Sequence, residues 1–117
     1  MLKLLETADV FLTNLRPGAL TRAGLDYDAL AAANPRLVYA SVTGYGLQGA
    51  DADKPGFDLA AFWAKSGVAA LTIPKGSEPF PIRTATGDHT CSLATVAAIL
   101  AALVLSLIHI SEPTRPY

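Results

Sequence analysis

Short apolar blocks punctuated by turn-forming residues fill most of the chain, and one long uncharged block closes it. Leu2, Leu4 and Leu5, followed by Glu6 and Ala8, read as the end of a helix entered without a cap. An opening on half a helix points to a start codon lying inside a longer gene. Asp9 to Thr13 is short, apolar and β-branched at Val10 and Thr13, which predicts a buried strand. Arg16-Pro17-Gly18 breaks it. Pro17 suits the first position of a short helix running to about Ala23, and Gly24 supplies its stop. Asp26 is a good N-cap for a second short helix, Tyr27 to Ala33, whose Leu30 and Ala33 face a core. Asn34-Pro35 ends that helix, because proline disfavours a helical residue before it.

Leu37 to Thr43 is rich in strand formers (Val38, Tyr39, Val42, Thr43) and is bounded by Pro35 and Gly44. A loop rich in glycine and aspartate follows from Gly44 to Gly56. The next element is an amphipathic helix from Asp58 to about Ser66, with Leu59, Phe62 and Trp63 on one face and Asp58 and Lys65 on the other. Pro74, Gly76, Pro79 and Pro81 make Thr72 to Thr86 mostly loop. Gly87-Asp88 then opens a last helix through Val104. Strands separated by helices argue for an α/β fold containing part of a parallel sheet. No internal repeat is evident.

The uncharged block from Leu93 to Ile110 matches, by length alone, a membrane helix of roughly 20 residues. Leu105 to Arg115 changes that reading. Back-translated codon by codon, LSLIHISEPTR reproduces the adapter of a transposon-based sequencing kit read through in frame. Residues 105–117 are therefore read as adapter rather than native sequence and are set aside from fold reasoning. The native remainder, Leu93 to Val104, has the length of a core helix and falls short of a span. His109, Ser111 and Glu112 carry no functional weight. A small membrane-anchored protein is the alternative if the tail is genuine.

Composition narrows the class without naming it. With 51% hydrophobic and 16% charged residues and a formal net charge of -1, the chain is an ordinary globular sequence with no basic stripe for nucleic acid or an anionic membrane. Cys91 is the single cysteine, so a disulfide framework or a thiolate metal cluster has no support, and a cytoplasmic setting is expected. Cys91 itself reads as a small buried hydrophobe. Glu6 and Asp9 interrupt the start before a signal peptide's apolar core can form.

Among residues with chemistry, Gly44-Tyr45-Gly46-Leu47-Gln48-Gly49 matches the spacing of a dinucleotide fingerprint and follows a strand. That mechanism needs a helix beginning at the third glycine. Pro55 and Gly56 leave it no room, so the segment reads as a loop whose glycines allow tight turns. Asp51 and Asp53 lack the ligand spacing of a calcium loop and read as solvated charges; no metal site is expected. Asp88 sits where a helix begins, and the aligned N–H groups there favour its anion. Two readings stand for it: an N-cap, or a carboxylate kept ionised for attack on an activated carbonyl.

Four phrases taken together resemble the family III CoA-transferases (the CaiB/BaiF group, which includes formyl-CoA and carnitine CoA-transferases). They are ADVFLTNLRPGAL, NPRLVYASVTGYG, KPGFDLAAFWAKSG and GDHTCSLATVAAILAAL, in the family's own order. The resemblance implies that residues 1–104 are a partial domain of that fold, a nucleotide-binding-like parallel-sheet domain that is interlocked with a second subunit at full length. It implies transfer of CoA from an acyl-CoA to a carboxylic acid through an aspartyl anhydride and an aspartyl-CoA thioester, with Asp88 as nucleophile. The acyl-CoA is substrate, and no permanently bound cofactor is implied. Asn14, Leu15, Arg16 and Arg22 are then expected beside CoA, and Phe57 and Asp58 near its thioester end. Two guanidiniums suit phosphate groups, since they stay charged and donate in a fork.

The family's racemase branch carries a histidine immediately before the aspartate that matches Asp58. Phe57 stands there and cannot move a proton, which favours transfer over racemisation. The bulk of Phe62-Trp63 implies a larger aryl or branched acyl group. The expected partners are the two substrates and a second copy of the full-length chain, with neither nucleic acid nor membrane. The 117-residue chain alone is expected to be inactive and poorly soluble.

Overall fold

The structure is a computed structural model that describes residues 2–82 and 85–111, with side chains described through Ser106. Its N-terminal part is built on a β–α–α–β crossover. Helix α1 (Leu2–Leu5) leads into strand β1 (Val10–Thr13). Helices α2 (Pro17–Ala23) and α3 (Tyr27–Ala33) then return the chain to strand β2 (Val38–Ser41). The strands are parallel, with Val10 beside Val38 and Thr13 beside Ser41. Two further bonds extend the ladder, Val38 N–H to the Asp9 carbonyl and Val42 N–H to that of Thr13, each 2.9 Å.

Local signals set these boundaries. Pro17 opens α2, and Gly24 closes it in the left-handed conformation at φ 65°, a state that costs glycine little. The Asp26 side chain accepts from Ala29 N–H at 3.1 Å, so it does cap α3. Asn34 ends α3, and its amide donates to the carbonyls of Leu5 at 3.0 Å and Ala8 at 2.9 Å, tying α1 to the crossover. The core beneath is Leu5, Leu20, Leu25 and Leu30, flanked by Ala8, Phe11, Leu37 and Tyr39. The Tyr39 ring meets Phe11 in a tilted pair and Tyr27 edge-on, at centroid separations of 5.3 and 5.8 Å. Its hydroxyl donates to the Leu25 carbonyl at 3.0 Å. Burial, and then the charge of Asp26, push the Tyr39 hydroxyl above its ordinary pKa.

Beyond β2 the chain runs as a loop to a helix at Asp58–Lys65, then a short α4 (Val68–Thr72) that sequence reading did not anticipate, and α5 (Thr86–Ser111). The Asp58 helix departs from expectation in kind, because its backbone is a π-helix. Apolar spacing cannot distinguish the two forms, since both bring residues four apart onto one face. Ser66 follows its end and donates its hydroxyl to the Phe62 carbonyl.

Helix α5 begins at Thr86 and runs past Val104, where it was expected to stop, to Ser111. Residues 112–117, part of the segment read as adapter, lie outside the described residues. Thr86–Ser106 is long and apolar enough to cross a membrane by length and composition, and among the described residues only its start, at Gly87, is buried. At 1.5 Å per residue the helix is about 39 Å long, which accounts for much of the chain's 64 Å longest dimension.

Candidate functional site

Three segments converge where β1, the loop after β2 and the start of α5 meet. At the end of β1 the buried Thr13 hydroxyl accepts Leu15 N–H at 3.1 Å. That short turn sets Asn14 and Arg16 at the strand's exit. Arg16 stands at the N-cap of α2 and gives the helix no side-chain bond. The cap comes from the loop instead: Asp53 Oδ1 accepts Gly18 N–H at 3.2 Å, and Arg16 Nη1 donates to the Asp53 carbonyl at 3.3 Å. Asp53 was read as a solvated charge; it is exposed, yet it straps the loop across α2. Asp51 has a partner too, since Lys54 and Lys65 reach its carboxylate at 2.7 and 3.3 Å. Their hydrogen bonds hold the Asp51 carboxyl below the usual carboxylate range, and Asp51 in turn raises the Lys54 amine.

The loop's two ends touch. A Cβ placed on Gly44 would lie 2.7 Å from the Gly56 Cα, and one on Gly56 would lie 2.7 Å from the Gly44 Cα. This backbone crossing admits only hydrogen at both positions. It delivers Phe57 and Asp58 directly to the start of α5. There Asp58 Oδ1 accepts the backbone N–H of Asp88 at 3.1 Å. Gly87 is buried between, and any Cβ on it would run into Asp58 Oδ1 and the Cβ and Cγ of Phe62.

Asp88 therefore differs from its N-cap reading. It lies inside the first turn of α5, its own amide is capped by Asp58, and its side chain is exposed. The next amide, that of His89, donates to the Ala85 carbonyl at 3.1 Å, and the N-terminal end of a helix favours an anion. An open cleft of about 590 Å³ joins these parts. Asn14, Arg16, Phe57, Asp58 and Asp88 all line it, while Leu15 and Arg22, both exposed, are not among its lining residues. The Arg22 guanidinium lies instead beside Gly18.

Lys54 and Cys91 also line the cleft, and sequence reasoning gave neither a place there; Phe62, whose bulk it tied to the acyl group, lines the cleft as well. Lys54 stands in the same phrase as Phe57. Cys91 follows Asp88 by three residues, one helical turn, which places the two on neighbouring positions of one face. Cys91 is exposed, contrary to expectation, because no other described segment covers that side of α5. Among the described residues the cleft thus combines two cations, two carboxylates and an apolar wall. That combination can hold an anionic molecule while presenting a carboxylate to its reactive carbonyl.

A family model described as CoA-transferase family III matches residues 1–107. The chain is 43% identical over 101 residues to the cinnamoyl-CoA:phenyllactate CoA-transferase of Clostridium sporogenes, covering 86% of this chain and 24% of that protein. It is also 43% identical over 101 residues to the (R)-2-hydroxy-4-methylpentanoate CoA-transferase of Clostridioides difficile, covering 86% of this chain and 25% of that one. The crystal structure of a CaiB/BaiF family protein from Brucella suis superimposes with a TM-score of 0.83 at 36% identity, over 92% of this chain and 28% of that one. The chain thus spans about a quarter of the length of the relatives it matches. With a family model matching nearly its whole length and an α/β fold shared at that level of identity, this chain belongs to CoA-transferase family III.

Proposed function

We propose that these residues are one segment of a longer CoA-transferase in which Asp88 is the nucleophile. The observation that carries this reading is an exposed carboxylate in the first turn of a long helix, lining a cleft that also holds Arg16 and Lys54. An Asp88 oxygen attacks the carbonyl carbon of an acyl-CoA thioester. The C–S bond breaks, CoA leaves as thiolate, and a mixed anhydride remains on Asp88. The thiolate then attacks the Asp88 carbonyl carbon, and the donor's carboxylate departs, leaving an aspartyl-CoA thioester. The acceptor carboxylate attacks that thioester and expels the thiolate, giving a second anhydride. The thiolate finally attacks the acceptor's carbonyl, forming the new acyl-CoA and restoring Asp88. Each step exchanges one acyl bond for another, so no redox partner is needed. Arg16 and Lys54 supply charge for the CoA phosphates.

Phe57 and Phe62 on the cleft wall support an aryl or branched acyl group. The two relatives at 43% identity, named for cinnamoyl, phenyllactate and hydroxy-methylpentanoate groups, point the same way. The full-length protein is proposed to be cytoplasmic and to act as an interlocked dimer.

Recovery of the intact gene provides the test. Resequencing the source DNA across the codon for Val104 should show coding sequence that continues differently from 105–117. The full-length protein given acyl-CoA should carry CoA on Asp88 by mass spectrometry. Asp88→Ala should lose turnover on the order of 10⁴–10⁶-fold. An enzyme that turns over without the adduct, or with Asp88 removed, would refute the mechanism. Activity confined to oxalyl- or formyl-CoA would refute the acyl preference alone.

A further inference from the structure

We propose that Asp58 is a positioning residue for Asp88: its carboxylate caps the first turn of α5 and, seated against Gly87, sets where the Asp88 carboxyl stands. The proposal rests on Asp88 being the nucleophile and assigns the machinery that holds it. A helix start leaves its first N–H groups unpaired. Here the chain enters α5 through Ala85, a non-glycine residue in the left-handed region at φ 43°. The cap for the Asp88 amide comes from 30 positions away, as Asp58 Oδ1 accepts it at 3.1 Å.

Two sets of glycines make that reach possible. Gly87 leaves the space that Asp58 Oδ1 and Phe62 occupy, and a single added methyl would displace both. The Gly44–Gly56 crossing fixes the residues just before Phe57 and Asp58 against the exit of β2. Position is therefore passed from the sheet to the crossing, then to Asp58, and from there to the Asp88 backbone. From the sequence, Asp58 was expected beside CoA near its thioester end. Its Oδ1 is engaged by the Asp88 amide at 3.1 Å, and the N–H groups of a helix start attract a carboxylate.

Steady-state kinetics on the full-length protein from the intact gene tests this. Asp58→Ala should lower kcat for CoA transfer about 10- to 100-fold, the cost of a misplacement near 1 Å, with KM for acyl-CoA within about threefold of wild type. Asp58→Asn keeps an oxygen for the amide and should retain at least about a third of kcat. Gly87→Ala should reproduce the loss seen with Asp58→Ala. If Asp58→Ala does not fold, Asp58→Glu, which pushes the acceptor outward by one methylene, replaces it with the same expected kcat loss.

A tenfold rise in KM at unchanged kcat would make Asp58 a CoA contact and overturn the proposal. So would an Asn variant as poor as Ala, which would mean that charge matters rather than the bond. The Asp88 adduct separates the two readings. Its absence in active wild type sinks the nucleophile assignment, whereas formation at the wild-type rate in Asp58→Ala sinks only the positioning role.

Discussion

Residues 2–43 and residues 58–106 are of similar length but are held together differently. In the first region four leucines are buried under paired strands, Leu30 most deeply at 1% exposure, and Asn34 and Tyr39 stitch the loops to it. In the second, Gly87 is the one buried residue among those described, while Leu71, Leu93 and Leu100 stand 88%, 75% and 57% exposed. Ser41 Oγ and Trp63 Nε1 are buried without a hydrogen-bond partner among the described residues. The first region holds all the buried leucines, though it too leaves Leu4, Leu12 and Tyr27 exposed, whereas the second presents apolar faces that no other described residue covers. The cleft sits on the seam, so its geometry depends on glycine contacts and one carboxylate–amide bond more than on buried area.

Substitutions on the two sides should separate accordingly, measured by urea denaturation of this chain below the concentration at which it associates. Leu30→Ala should cost about 2–5 kcal/mol, through lost burial and the cavity left behind. Asn34→Ala should cost about 1–3 kcal/mol, since it strands the Leu5 and Ala8 carbonyls. Asp26→Ala removes the α3 cap and should cost about 1 kcal/mol. Leu93→Ala should stay within about 0.5 kcal/mol, as a surface change does. A Leu93 effect as large as that of Leu30 would break the comparison by showing that α5 is covered.

The smallest effect belongs to Asp51→Asn. Asp51 has a lowered folded-state pKa because of Lys54 and Lys65, so its contribution is present above the ordinary carboxylate pKa. That contribution fades as pH falls through the depressed value, and salt screens it throughout. A stability difference between Asp51→Asn and wild type that persists at high salt would contradict this.

What could be read from the sequence followed the range of the interactions involved. Gly24, Asp26 and Pro35 act within one or two turns of themselves, so α2 and α3 were placed correctly, including the cap. Parallel strands flanking two helices were legible for the same reason, with β2 shorter at both ends than Leu37 to Thr43. Asp53 capping Gly18, Asp58 capping Asp88 and the Gly44–Gly56 crossing join residues far apart in sequence, and nothing local marks them. Cys91 was misread because free cysteine is usually buried, a tendency that presumes a neighbour α5 does not have here. Asn14, Arg16, Phe57, Asp58 and Asp88 were found through the resemblance, and they do share one cleft. Spacing alone had left Asp88 between two roles.

The crossing of Gly44 and Gly56 has a consequence for how such a protein can diversify. The segment from Tyr45 to Pro55 leaves and re-enters the fold at one point, forming a compact excursion closed by its own neck. Lengthening it alters the closure entropy only slowly with length and leaves the neck, and so Asp58, where it was. Only part of the excursion is free to change, because Asp53 straps it to α2 and Lys54 lines the cleft. New residues inserted before Asp51 can change what approaches the cleft, while the carboxylate waiting there stays in register.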